Sequence, residues 1–202
     1  MGQRLVIQIT DNDVNLANAY YHWSAYTGSS AALTKEILDI FDHVNKDYTP
    51  VQKAVWYLVQ TGARFAPDEI TNMEKDEIDM EQFKFAFDDK TVNRNDGLLC
   101  VTEEGMDNNT SWEEGRVEID ITRKLVHFDV IGTETAEEYT EYNKDWEDAP
   151  KVEDLPVFDV KDCFDFTFCE FYSFYDKLTE LLQKCQYTGI SKDRTTVFEF
   201  IE

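Results

Sequence analysis

The stretch V-E-I-D-I-T-R-K-L-V-H-F-D-V-I, residues 117–131, indicates its structure more clearly than any other part of the chain. Apolar and acidic residues alternate from Val117 to Ile121, as they do on a strand that buries one face. Polar residues 122–124 interrupt the alternation, and a mostly apolar run continues from Leu125 to Ile131. The stretch therefore predicts a β-hairpin.

Strand-like patterns also occur near both ends and in the middle of the chain. The turn-forming Asp11-Asn12-Asp13 separates the apolar run 5–9 from an aromatic-rich run, 14–26, and this arrangement predicts a second hairpin. Phenylalanine at every second position of 82–87 predicts an extended segment. Two further strands are predicted, at 98–101 and 196–201.

One helix has clear end signals. Thr49, Pro50 and Gln52 combine an N-cap, a proline at the first helical position and a capping-box glutamine. Gly62 suits the left-handed residue that ends many helices. These signals predict a helix at 50–61.

Hydrophobic and acidic periodicity predicts three more helices, at 30–44, 134–146 and 168–186. We therefore expect an α+β fold, in which an antiparallel sheet built from hairpins packs against about four helices. Residues 1–202 are expected to form a single compact domain, and the acidic loop 147–161 is a weak possible domain boundary.

The composition favours a folded, strongly acidic protein. Of the 202 residues, 42% are hydrophobic and 14% aromatic, which is enough to build a core. The chain has 42 acidic and 19 basic residues and a formal charge of −23 at pH 7. Such a surface repels phosphate backbones and anionic lipids, so we expect no direct binding of nucleic acid or membrane.

The negative charge is concentrated in the middle of the chain. Residues 68–89 contain nine acids and two lysines, residues 103–120 seven acids and one arginine, and residues 134–170 thirteen acids and three lysines. The ends, 1–67 and 171–202, are each close to neutral. Uniform adaptation to salt explains this distribution poorly, whereas a binding surface would produce it.

Within the third acidic segment, six acids recur at helical spacing and would form one stripe. Like charges four residues apart destabilise a helix by a few tenths of a kcal/mol each, by the magnitudes known for opposite pairs. The stripe is either a solvated face or a surface shaped for lysines and arginines of a partner, and the sequence leaves both open. Its residues are Glu134, Glu137, Glu138, Glu141, Asp145 and Asp148.

The other two acidic segments supply further candidate partner-binding residues, which are Glu74, Asp76, Glu77 and Asp79 in the first and Glu113 and Glu114 in the second.

Patterns typical of catalytic or metal sites are weak. His22, His43 and His127 are isolated in sequence, and the acidic loops lack the glycine and glutamate positions of an EF-hand. No phosphate-binding glycine motif or nucleophile motif occurs. We expect no metal, no cofactor and no enzymatic activity. The aromatic cluster from Tyr20 to Tyr26 could line a pocket, but such clusters are more often strand core.

The chain shows no signal-peptide pattern and no apolar run long enough to span a bilayer. Its four cysteines match neither a redox pair nor a zinc module, and reduced thiols are expected. These features predict a cytoplasmic protein, in a host cytoplasm if a phage encodes it.

Two functions fit this combination. The first is an inhibitor that presents carboxylates where a DNA- or RNA-handling enzyme, such as a nuclease, binds phosphates; acidic anti-CRISPR and antirestriction proteins of phages and mobile elements share this general composition. The second is a non-enzymatic cytosolic protein that binds another basic protein. An enzyme with an unrecognised site is a third, weaker interpretation.

Overall fold

A computed structural model describes most of the chain up to residue 130 and shorter pieces beyond it. The described residues are 4–22, 24–25, 27–88, 97–130, 134–135, 140–141, 144–145, 147, 151, 157–159, 165–182, 187–192 and 195–200.

Seven strands form a mixed sheet in the order β3-β4-β2-β1-β5-β6-β9. Four short strands form a second sheet in the order β7-β11-β10-β8. The strands are β1 (Leu5–Asp11), β2 (Val14–Tyr21), β3 (Arg64–Phe65), β4 (Leu98–Cys100), β5 (Gly115–Asp120), β6 (Leu125–Asp129), β7 (Glu134–Thr135), β8 (Val157–Asp159), β9 (Asp165–Thr167), β10 (Tyr187–Lys192) and β11 (Thr195–Phe200).

The part of the chain that the structure describes contains six α-helices with defined first and last residues. They are α1 (Thr27–Asp39), α2 (Pro50–Gln60), α3 (Pro67–Lys75), α4 (Lys84–Asp88), α5 (Glu103–Thr110) and α6 (Phe168–Leu182). Single 3-10 turns at Phe41–His43 and Met80–Phe83 follow α1 and precede α4.

The expected fold class is correct in mixing helices and sheet but wrong in detail. The main sheet is not purely antiparallel, because β1 pairs in parallel with β5 and β3 pairs in parallel with β4. The helices bounded in the described residues number six rather than about four. Strand alternation identifies neighbours joined by a turn, but it cannot identify a parallel partner more than 100 residues away.

Both predicted hairpins are confirmed, β5 with β6 and β1 with β2. Asn12 and Asp13 at the tip of the first hairpin have φ of 49° and 69°. Positive φ at both central residues is the geometry of the tight turn that matches strand twist. The second strand ends at Tyr21, so the run 14–26 is a strand only in its first part.

The capping box of α2 is also confirmed. Thr49 Oγ1 accepts from the Gln52 backbone N–H at 3.2 Å, and Gln52 Oε1 accepts from the Thr49 N–H at 2.9 Å. Gly62 ends the helix with φ of 98°, and the N–H of Ala63 reaches back to the Leu58 carbonyl at 3.0 Å. This is a Schellman ending, in which the left-handed residue satisfies carbonyls of the last turn.

The extended segment predicted at 82–87 is wrong, because the chain is helical there. Phe83 and Phe87 lie one helical turn apart, and both rings pack on Phe65, with centroids at 5.7 and 5.2 Å. Phe85 faces elsewhere and stacks on Tyr48 at 5.0 Å. Residues i and i+4 share a face in a strand and in a helix, but residue i+2 points to another side only in the helix, as Phe85 does here.

The predicted helix at 134–146 is wrong at its start. Glu134 and Thr135 form β7, which pairs with β11. Residues 140–141 are helical and 144–145 form a turn, while residues 136–139 and 142–143 lie outside the described residues. A pairing with a strand sixty residues later overrides the local acidic period.

One face of the main sheet forms the core. Buried side chains of β1, β5 and β6, such as Ile7, Val117 and Phe128, point to this face and are fully buried. Helices α1, α2 and α6 cover it. Phe171 and Phe174 of α6 pack on the Phe128 ring, with centroids 5.7 and 5.5 Å away.

Asp120 organises the turn between β5 and β6. Its Oδ1 accepts from the backbone N–H groups of Thr122 and Arg123 at 3.0 and 2.6 Å, and its Oδ2 accepts from Arg123 Nε at 2.8 Å. Arg123 also pairs with Asp13 in the first hairpin. Burial of Asp120 opposes ionisation, but the bonds from Arg123 outweigh it and hold the pKa of this carboxyl below its ordinary value.

We expect Asp120→Ala to lower the free energy of unfolding at pH 7 by about 2 kcal/mol, because it removes three bonds to an ionised acceptor. A carboxyl with a lowered folded-state pKa stabilises the fold above about pH 4, its ordinary pKa, and loses this contribution as the pH falls through the lowered value. Urea unfolding at pH 7 and pH 3 checks this: the difference between the two proteins should shrink at pH 3. An equal difference at both pH values would contradict the assignment.

Candidate partner-binding surface

The face of the main sheet opposite the core carries a row of polar residues. Strand register aligns them across five adjacent strands, β2, β1, β5, β6 and β9. Each residue lies beside the next, in the order Asn18, Gln8, Glu118, His127 and Asp165. The alternation that buries Ile7 and Val117 on one face places this row on the other.

Helix α5 covers one end of the row. Asn18 Nδ2 donates to the Met106 carbonyl at 3.0 Å, and Asn18 Oδ1 accepts from Asn109 Nδ2 at 2.9 Å. Asn109 also donates to the Leu98 carbonyl of β4 at 3.0 Å. Buried amides that satisfy each other in this way fix the helix on the sheet.

Beyond α5 the same face is open and forms an acidic groove of about 440 Å³. Arg116 donates through Nε to Glu113 at 2.9 Å and through Nη1 to Glu118 at 3.3 Å. These bonds, the one to Glu113 first, raise the pKa of Arg116 against the opposing effect of burial. Four carboxylates thus line the groove beside one guanidinium, and two of them bond to it. The groove is lined by Glu113, Glu114, Gly115, Arg116, Glu118, His127 and Asp129.

An imidazole lines the groove, and an exposed tryptophan precedes it in sequence. His127 Nδ1 lies 2.6 Å from Asp165 Oδ1, directly across the β6–β9 pairing. Trp112, next to Glu113 in sequence, is 64% exposed, and the Arg4 guanidinium lies 5.6 Å from its ring centroid. Exposed tryptophan beside charged groups is common at protein interfaces.

A buried carboxylate joins the first acidic segment to the second. Glu69 of α3 is 1% exposed. Its Oε1 accepts from the N–H groups of Val101 and Thr102 at 2.6 and 2.7 Å, and its Oε2 accepts from Thr102 Oγ1 at 2.7 Å. Thr102 is the N-cap of α5. Gly105 makes this approach possible, since a Cβ there would lie 2.1 Å from Glu69 Oε2.

The acids at the C-terminal end of α3 stand in unfavourable positions. Glu74, Asp76 and Glu77 are exposed around the last turn, where the helix dipole is negative. Glu77 also has φ of 55°, a left-handed conformation that costs a residue with a Cβ about 1 kcal/mol. The N–H of Ile78 reaches back to the Met73 carbonyl at 2.9 Å, so Glu77 occupies the position where Schellman endings favour glycine.

Asp79 differs from these acids because a local role explains it. Its Oδ1 accepts from the Glu81 N–H at 3.0 Å and caps the 3-10 turn. We use the name acidic surface for the exposed and half-buried carboxylates of three regions: Glu74, Asp76 and Glu77 at the C-terminal end of α3, Glu103, Glu104 and Asp107 on α5, and Glu113, Glu114, Glu118 and Asp129 at the groove.

The sequence-predicted residues divide between this surface and the third segment. Glu113 and Glu114 line the groove, and Glu114 Oε2 also accepts from the Arg4 N–H at 2.9 Å. Glu134 lies in β7, Glu141 pairs with Lys144, and Asp145 is exposed in a turn. Glu137, Glu138 and Asp148 lie outside the described residues. The prediction of a continuous helical stripe that begins at Glu134 is therefore wrong at its first residue, because Glu134 lies in a strand.

Sequence reasoning missed Glu118, His127, Asp129 and Asp165 as members of the groove or its border. Alternation along β5 and β6 contains a signal for the first three, because it places them opposite the buried Val117, Ile119 and Phe128. No pattern in the sequence places Asp165 beside His127, since β9 is three residues long and 36 residues beyond β6.

The described part of the aromatic cluster is divided between the two faces of β2. Tyr21 is buried and its hydroxyl lies 3.0 Å from Thr61 Oγ1, while the hydroxyl of Tyr20 lies 3.0 Å from His22 Nδ1. Burial raises the pKa of the Tyr21 hydroxyl. Trp23 and Tyr26 lie outside the described residues. These contacts are those of an ordinary strand, with Tyr21 in the core and Tyr20 on the opposite face.

Other kinds of site receive no support within the described ranges. No group of three or more His, Cys, Asp or Glu side chains there is arranged to hold a metal ion. Burial, and then the nearby Glu69, raises the pKa of the Cys100 thiol, which keeps it protonated at neutral pH. The helices that the structure describes include none that is long and apolar enough to cross a membrane.

We expect Glu69→Ala to lower the free energy of unfolding by about 3 kcal/mol, because two backbone N–H groups and a hydroxyl lose their acceptor. Glu69→Gln keeps one acceptor oxygen at nearly the same volume and should cost less. Chemical denaturation measures both values. Equal losses would contradict the assignment of the effect to the hydrogen bonds.

We expect Glu77→Gly to raise the free energy of unfolding by about 1 kcal/mol, since glycine adopts positive φ without a steric penalty. Glu77→Gln is the matched control, because it removes the charge and keeps the Cβ. It should gain only a few tenths of a kcal/mol from the helix dipole. Thermal and urea unfolding check the order of the two variants, and a destabilised glycine variant would contradict it.

Comparison with known proteins identifies no relative whose function could be used to interpret the acidic surface. No protein-family model, no curated protein and no solved structure matches this chain. The carboxylates of the acidic surface are therefore the basis of a functional proposal.

Proposed function

We propose that this chain is an acidic inhibitor that binds the basic nucleic-acid cleft of a DNA- or RNA-handling enzyme by phosphate mimicry. An anti-defence role, of the anti-CRISPR or antirestriction type, is the form of this proposal that fits a small acidic protein of phage or mobile-element origin. The partner is a basic protein, and the carboxylates of the acidic surface meet its lysines and arginines.

The observation that carries the proposal is the position of the acids at the end of α3. Glu74, Asp76 and Glu77 are exposed where the helix dipole disfavours them, and Glu77 adds a backbone cost. Folding stability therefore does not explain them. Strain and unfavourable charge of this kind concentrate at functional positions, and a cationic partner would offset the cost.

The density of charge also supports the proposal. Duplex DNA carries one charge per about 1.7 Å, whereas one helical stripe of acids carries one per about 5 to 6 Å. Glu69 in the first turn of α3 bonds to the N-cap residue of α5, so the first and second acidic segments are in contact at the N-terminal ends of these two helices. Adjoining segments raise the density of carboxylates toward that of a phosphate backbone.

The test measures binding of the chain to a panel of nucleases at increasing salt, with duplex DNA as competitor. We expect binding that DNA displaces and that weakens steeply with salt, because exposed charges are screened. Binding to a basic protein that DNA does not displace would favour the alternative, an interaction protein for another kind of partner. Binding indifferent to both salt and DNA would overturn the proposal.

A triple variant locates the interaction. Replacing Glu74 and Glu77 with Gln and Asp76 with Asn should weaken nuclease binding about tenfold, at roughly 0.5 kcal/mol for each exposed pair. The matched control carries Glu36→Gln, Asp42→Asn and Asp47→Asn, three exposed acids in the nearly neutral N-terminal region. Both variants lose the same charge, so an equal effect would assign the binding to net charge and not to this surface.

A further inference from the structure

An apolar groove of about 380 Å³ lies between α3 and the segment that leads into α4. It is lined by Ile70, Met80 and Phe87, with Glu81 and Lys84 at its edge. Phe87 is 45% exposed and is one of four exposed large hydrophobic side chains among the described residues. The groove therefore interrupts an acidic region with an apolar site large enough for one side chain.

The groove is held open by the packing beneath it. The Phe87 ring stacks on Phe65 with centroids 5.2 Å apart, and Phe65 packs on the buried Phe83 at 5.7 Å. Gln52 Nε2 donates to the Gln82 carbonyl at 2.9 Å and attaches this turn to α2. With its floor fixed in this way, the groove can accept a ligand without rearranging.

One acid and one lysine line the groove, and two further acids lie close to its lining residues in sequence. Glu74 lies four residues after Ile70, on the same face of α3. Asp79 and Glu81 flank Met80 in sequence, and both are exposed. Lys84 is the cation that lines the groove. The charge that surrounds the apolar floor is therefore complementary to a basic partner.

We propose that this groove receives an apolar side chain from a lysine- and arginine-rich segment of the partner protein. The inference rests on the proposed function for the basic character of the partner, and it adds the chemistry of the contact. Carboxylates at the rim meet the cations, while Ile70, Met80 and Phe87 hold the apolar residue between them. Interfaces commonly combine a desolvated apolar anchor with a polar rim in this way.

The test uses two synthetic peptides with the same length and charge. One has leucine and lysine at helical spacing, and the other has serine in place of every leucine. We expect the full chain to bind the leucine peptide about tenfold more tightly, as burial of one apolar side chain allows. We expect this preference to persist at high salt, because apolar contact is not screened.

Met80→Glu separates apolar contact from charge. It adds a negative charge, so electrostatics alone would strengthen binding of both peptides, whereas the groove predicts weaker binding of the leucine peptide. Val14→Glu is the matched control, because it adds the same charge at an exposed apolar residue on the first hairpin. An unchanged leucine preference in Met80→Glu would overturn the inference.

A measurement on the unmodified protein guards against a variant that fails to fold. On titration with the leucine peptide, the methyl resonances of Ile70 and Met80 should shift and those of Val14 should not. Equal shifts at all three would overturn the inference. So would concentration-dependent dimerisation that Met80→Glu abolishes, because it would assign the groove to a second copy of the chain.

The outcomes distinguish this inference from the proposed function. If both peptides bind equally and DNA still displaces the chain from a nuclease, the groove assignment fails and the mimicry stands. If the leucine preference depends on Met80 but DNA displaces the chain from no nuclease, the groove stands and the mimicry fails.

Discussion

The parallel pairing of β1 with β5 is the constraint on which the rest of the main sheet depends. It joins two hairpins, β1–β2 and β5–β6, that local sequence would form separately. Residues 5–9 of β1 are buried, as central strands require when both neighbours are strands. The pairing aligns Ile7 with Val117 on the core face and Gln8 with Glu118 on the other, so one register sets the apolar layer and the polar row together.

This two-faced sheet explains why the acids collect where they do. Helices α1, α2 and α6 cover the apolar face, and α5 covers one part of the polar face through Asn18 and Asn109. The remaining part stays in contact with solvent, and charged residues are stable there. Glu69, in the first turn of α3, then bonds to the N-cap residue of α5 and so places a second acidic helix against α5.

Local features of the sequence predicted local structure well. The alternation at 117–131, the Asn12-Asp13 turn and the Thr49–Gln52 capping box each contain both partners of the interaction within a few residues. The prediction failed where a distant partner decides. Phe83 and Phe87 are helical because both pack on Phe65, and Glu134 joins a strand because β11 lies beside it. The same limit applies to the candidate surface. Glu113 was identified from charge alone, but Asp165 reaches His127 only through the pairing of β6 with β9, which no local pattern predicts.

The acidic surface and the apolar groove have complementary physical roles. Exposed carboxylates act over about 10 Å at moderate salt, so they accelerate encounter with a basic partner but discriminate poorly among such partners. An apolar groove acts at contact, and it favours the partner that has an apolar side chain at the right distance from its cations. Phe87 and Met80 lie on the same short segment as Asp79 and Glu81, so both roles belong to one region. Attraction by charge and selection by shape would then follow from the same turn of chain.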